Sequence, residues 1–91
     1  MSEQQIQTKI IAFLETNGWD YVKTIRLSKA GYPDILAMKE GKSIWLECKA
    51  SAKEKASPLQ LRRISDLRKN GFIAEVVWSI DQVSDIISNL K

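Results

Sequence analysis

Apolar side chains at Ile6, Ile10, Phe13 and Leu14 recur at three- and four-residue steps, which gathers them on one face of a helix. Ser2 and Gln5 ahead of that run have the form of a capping box, and Asn17-Gly18 supplies a stop, so the spacing predicts a helix over Glu3–Thr16. From Trp19 to Leu27, aromatic and β-branched residues interleave with polar ones, the pattern of a strand. Ser28–Tyr32 reads as a loop in which Gly31 is free to take a backbone conformation that other residues avoid. Two apolar runs follow, Pro33–Met38 and Ser43–Lys49, joined by the short polar segment Lys39–Lys42; strands joined so briefly run antiparallel. Ala50–Ala56 is polar and lysine-bearing, and reads as a mobile loop.

Ser57-Pro58-Leu59-Gln60 is a second helix start, with a capping serine, proline at the first helical position and glutamine where a capping box wants it. Ile64 and Leu67 carry that helix from Pro58 to Lys69, and Asn70-Gly71 ends it. Phe72–Ser79 is close to a continuous apolar run, as expected of a strand buried on both faces, and Asp81 then caps a last helix bearing Val83, Ile86, Ile87 and Leu90. The order α, β, β, β, α, β, α contains one β-α-β unit, whose two strands should run parallel. The expected fold class is α/β, a mixed central sheet flanked by helices in one domain over residues 1–91.

Composition sets the chemistry that such a domain can run. The 91 residues include no histidine and a single cysteine, Cys48, so His-dependent nucleophilic catalysis, His-based zinc sites and internal disulfides are excluded. Asp, Glu, Lys and backbone groups remain, and their natural metal is a hard cation held by oxygen. The net charge of +3 permits a nucleic-acid partner without demanding one. No apolar run reaches membrane-spanning length and a free thiol suits a reducing compartment, so a cytoplasmic protein is expected.

The strand Ser43–Lys49 carries charge where a plain core would not. Its period of two puts Glu47 and Lys49 on one face and Ile44, Leu46 and Cys48 on the other. Pairing with the preceding strand brings Asp34 close to Glu47, and the repulsion between two carboxylates is most cheaply relieved by a divalent cation. Mg²⁺ or Mn²⁺ fits best, held by Asp34, Glu47 and a strand carbonyl such as that of Cys48, with several waters retained. An ion of this kind activates water against a phosphodiester, and Lys49 would stabilise the developing charge.

Pro33-Asp34 followed by Glu47-Cys48-Lys49 resembles the signature of the PD-(D/E)xK nucleases, and the element order resembles their restriction-endonuclease-like core. More narrowly, Gly31-Tyr32-Pro33-Asp34, Leu46-Glu47-Cys48-Lys49 and Ser57-Pro58-Leu59-Gln60 with Gly71 look like the VRR-NUC domain. That resemblance implies a metal-dependent DNA endonuclease in which Asp34, Glu47 and the Cys48 carbonyl hold the metal and Lys49 is the catalytic lysine. It further implies that Gln60 points into the site and that Glu3 reaches the metal through water. Members consisting of this domain alone are associated with branched DNA such as Holliday junctions. The alternatives are a nicking or flap nuclease, or a non-catalytic nucleic-acid-binding module of the same fold.

Each residue also has a plainer reading. Gln60 completes a capping box, Glu3 is an acid favoured by the first turn of a helix, and Glu47 with Lys49 could be a solvated strand face. Lys23, Arg26, Lys29, Lys53, Lys55 and Arg62 are candidates for DNA phosphate contacts, and Arg63, Arg68 and Lys69 could extend that surface, although most such charges only solvate a fold. Trp19, Trp45 and Trp78 could stack on bases, but core or interface is the preferred reading. Cutting both strands of a junction takes two sites, so a homodimer or higher homo-oligomer is expected.

Overall fold

A computed structural model describes residues 1–90. Its elements are α1 (Glu3–Thr16), β1 (Asp20–Lys23), β2 (Ile35–Lys39), β3 (Lys42–Cys48), α2 (Pro58–Lys69), β4 (Ile73–Val77) and α3 (Ile80–Ser88), in the order read from the sequence. The sheet runs β1-β2-β3-β4, antiparallel between the first three strands and parallel between β3 and β4, across the α2 crossover. Glu40 and Gly41, at φ 51° and 79°, turn the β2–β3 hairpin with positive φ at both central residues, the arrangement that matches strand twist.

One face of the sheet carries the main core. Ile35 and Ala37 of β2 and Ile44, Leu46 and Cys48 of β3 meet Ile6, Ile10, Ile11 and Leu14 of α1, with Trp19, Val77 and Val83 closing the edges. Each buried Ile, Leu or Val among these gains ~1.5–3 kcal/mol over exposure. On the opposite face, Ile64 and Leu67 of α2 pack on Ala74, beside Tyr32, Trp45 and Val76. Trp45, Glu47 and Lys49 therefore project toward α2, away from the main core.

Three expectations need correction. The first strand ends at Lys23, not Leu27, because Thr24 donates its N–H to the Asp34 carbonyl and Pro33, next along the partner, has no N–H to continue the ladder. β4 spans only Ile73–Val77 and lies at the sheet edge, leaving Glu75 and Val76 half-buried and Phe72 and Trp78 exposed. Within these shorter bounds both faces are packed, Ala74 and Val76 against α2 and Ile73 and Val77 against the main core, so the exposure falls on the two ends and on Glu75. The last helix is capped by Ser79, whose hydroxyl accepts from the Gln82 N–H while Gln82 Oε1 accepts from the Ser79 N–H; Asp81 sits in the first turn. The segment 50–56 is a loop, as read, and carries turn bonds from Glu54 N–H to the Ser51 carbonyl and from Lys53 N–H to Ser51 Oγ.

Candidate active site

The register that pairs Ile35 with Leu46 sets Asp34, one residue before β2, beside the last residues of β3. Asp34 Oδ2 accepts the Cys48 N–H at 2.9 Å. An extended residue points its N–H and C=O to the same edge of its strand, so the Cys48 carbonyl opens on the Asp34 side while its side chain is buried in the main core. Burial, with the charge of Asp34 adding to it, pushes the Cys48 thiol up to about 12, which leaves the sulfur a neutral packing group.

Glu47 is 1 % exposed and Lys49 is 8 % exposed, so the reading of these two as a solvated strand face is wrong. Glu47 Oε2 lies 3.4 Å from Lys49 Nζ and accepts from Gln60 Nε2 at 3.0 Å, while Oε1 is buried with no partner. Burial and then the Asp34 charge raise the Glu47 carboxyl from the ordinary 4.5 to about 7, against the opposing pull of Lys49. Glu3 comes from the first turn of α1, and one carboxylate oxygen each of Glu3, Asp34 and Glu47 lie within 4.8 Å of one another. Partial desolvation and a hydrogen bond with Glu54 raise the Glu3 carboxyl above its ordinary value.

Gln60 resolves into both of its readings at once. Its Oε1 accepts the Ser57 N–H at 2.8 Å as a capping box requires, which leaves Nε2 free to reach Glu47. Two supporting residues, Thr24 and Glu54, escaped the sequence reading, and a third, Arg63, was read only as a phosphate contact. Thr24 binds Asp34 through backbone and Pro33 through its hydroxyl. Glu54 accepts the Ala50 N–H at 3.2 Å and adds a fourth carboxylate beside Glu3. Arg63 donates Nε to the Ala30 carbonyl at 2.8 Å and lies 5.4 Å over the Tyr32 ring, which itself packs on Trp45. Only Gly31, at φ +88°, lets this segment pass Leu59, since a Cβ there would stand 2.6 Å from Leu59 Cγ.

The cationic candidates divide. Lys23, Arg26, Lys29, Lys53, Lys55 and Arg62 are exposed, whereas Arg63 is turned inward and Arg68 is engaged with the Ala74 carbonyl and Glu75. Trp19 is core, Trp45 is half-buried against Tyr32 and only Trp78 is exposed. Among the described residues, no helix is long and apolar enough to cross a membrane.

A sequence profile of the archaeal Holliday junction resolvases (Hjc) matches residues 4–71, a span holding Asp34, Glu47, Cys48, Lys49 and Gln60 but stopping one residue short of Glu3. A solved structure described as a VRR_NUC domain superposes with a TM-score of 0.85 at 29 % identity, covering 98 % of this chain and 97 % of its own. A second, described as a VRR_NUC domain protein, gives 0.76 at 24 % identity over 97 % of this chain and 86 % of its own, a likeness of fold. Curated proteins give no significant match.

Proposed function

The chain belongs to the archaeal Holliday junction resolvase family and has the fold of the VRR-NUC nuclease domain, and on that footing we propose that residues 1–91 form one metal-dependent endodeoxyribonuclease domain that hydrolyses branched DNA, four-way junctions first among its substrates. The observation that carries this reading is the meeting of three carboxylates within 4.8 Å beside a nearly buried lysine.

The donor set fits a small hard cation. Glu47 Oε1 is a buried acceptor with no protein partner, which is costly unless something positive meets it. Asp34, Glu47 and the Cys48 carbonyl would hold Mg²⁺ or Mn²⁺, with Glu3 reaching it through water. When bound, the ion neutralises phosphate charge and makes water a better nucleophile. The Lys49 ammonium stabilises charge developing on the phosphate, and Gln60 fixes the Glu47 carboxylate through its Nε2 contact. The reaction adds water across one phosphodiester bond: phosphorus gains the water oxygen, the bond to one sugar oxygen breaks, and that oxygen takes up a proton. Lys23, Arg26, Lys29, Lys53, Lys55 and Arg62 contact backbone phosphates, so recognition is of DNA shape rather than sequence. A homodimer in the cytoplasm would supply the two sites that a symmetric junction needs.

The test incubates wild type, Asp34→Ala and Lys49→Ala with a four-way junction, a flap, duplex and single-stranded DNA, in Mg²⁺, Mn²⁺ or EDTA. Metal-dependent cutting that favours the junction and is lost in both variants supports the proposal. Full activity of Asp34→Ala refutes the assigned site, equal cutting of flap and junction refutes the substrate, and binding without cutting in any metal makes the chain a non-catalytic module.

A further inference from the structure

Ile25 is 86 % exposed, more than any other large apolar side chain described, in a fold that otherwise buries its isoleucines wholly or in part. Its position is built rather than frayed. At one end of its loop Thr24 bonds to the Asp34 and Pro33 carbonyls; at the other, Arg63 holds the Ala30 carbonyl and Gly31 lies against Leu59. Between these anchors the backbone curves around a hollow of about 310 Å³ lined in part by Arg26, Leu27 and Lys29, and Leu27 is itself 46 % exposed.

We propose that Ile25 is a wedge that packs against an unstacked base step at the branch point of a DNA junction and thereby selects branched DNA over plain duplex; this rests on the nuclease reading above. Charge decides the occupant. Lys23, Arg26 and Lys29 lie within four residues of Ile25 in exposed positions, and no acid occurs between Tyr21 and Pro33. A second copy meeting this loop symmetrically would bring six cations together, whereas DNA brings phosphates to the cations and apolar base faces to the isoleucine. Aliphatic side chains inserted at base steps are a recurrent way of stabilising distorted duplexes, and a branch point presents steps whose stacking is already broken. Because Thr24 ties the loop to Asp34, a base seated on Ile25 fixes how far the scissile phosphate lies from the carboxylates.

The experiment compares wild type with Ile25→Ser, a change that removes almost no buried contact. Both are titrated in EDTA against a four-way junction carrying 2-aminopurine beside the branch point and against a duplex of equal length, and both are sedimented without DNA. Wild type should brighten the 2-aminopurine. Ile25→Ser should bind the junction about tenfold more weakly without that brightening, bind duplex unchanged, and keep the sedimentation of wild type. Unchanged junction affinity and fluorescence in Ile25→Ser overturn the wedge, as does an equal loss on junction and duplex. A change in oligomeric state would assign Ile25 to an interface between copies and also overturn it. If wild type itself shows no preference for the junction, the wedge falls together with the branched-DNA reading, and the wild-type data alone identify that case.

Discussion

Replacing Glu47 with glutamine should stabilise the metal-free protein at alkaline pH while abolishing cleavage. Glu47 is 1 % exposed, and its carboxyl titrates near 7 in the fold against 4.5 when unfolded. A group whose pKa is raised by folding lends its stability below the unfolded value and withdraws it as pH rises to the folded one, so the metal-free fold weakens between pH 4.5 and about 7. At 1.36 kcal/mol per pH unit the ceiling is about 3 kcal/mol. Glutamine is the neutral isostere and can still accept from Gln60 Nε2, but it deprives Lys49 of a partner 3.4 Å away. Set against that loss, Glu47→Gln should gain ~1–2 kcal/mol over wild type at about pH 8 and almost nothing near pH 4.5. Urea unfolding in EDTA at both pH values measures the difference, and adding Mg²⁺ at the higher pH should stabilise wild type alone. A glutamine variant less stable than wild type at high pH in EDTA, or an equal difference at both pH values, would refute the reasoning.

Other substitutions separate backbone from side chain and site from scaffold. Cys48→Ala should keep metal-dependent cleavage within about threefold while costing ~1 kcal/mol of packing, because only its backbone faces the site; assays of cutting and unfolding check both parts. Gln60→Ala loses the side-chain half of the capping box and the Glu47 contact while Ser57 still caps the helix, so cleavage should fall about 10–100-fold and stability by ~1 kcal/mol, read from single-turnover cleavage and thermal unfolding. Gly31→Ala meets a positive φ and Leu59 together and should lose ~2 kcal/mol or more by urea unfolding. Pairing it with Leu59→Ala should restore part of that loss, since the contact is removed while the φ strain stays.

Local chemistry was the legible part of this chain. Periodicity and capping residues located α1 and α2, and period-two alternation assigned Glu47 and Lys49 to one face of β3. Sheet order was not legible in the same way, since the apolar run of β4 reports an affinity for burial and not whether a fifth strand lies beyond it. The Trp19–Leu27 pattern likewise ran on past the point where Pro33, on another strand, removes the donor. Gln60 could not be divided between cap and site because a glutamine has two polar ends and uses one for each. Glu54 left no trace because its meeting with Glu3 depends on how a polar loop folds across the start of α1.

That Asp34, Glu47 and Glu3 together make a cation site is the claim on which the rest depends. Electron paramagnetic resonance of Mn²⁺ titrated with wild type and with Asp34→Asn addresses it directly, with no DNA and no turnover. Wild type should withdraw the free-Mn²⁺ signal at about one ion per chain, and Asp34→Asn, still folded, should withdraw it only at least tenfold more weakly. Equal withdrawal by the two proteins, or none by wild type, would contradict the account.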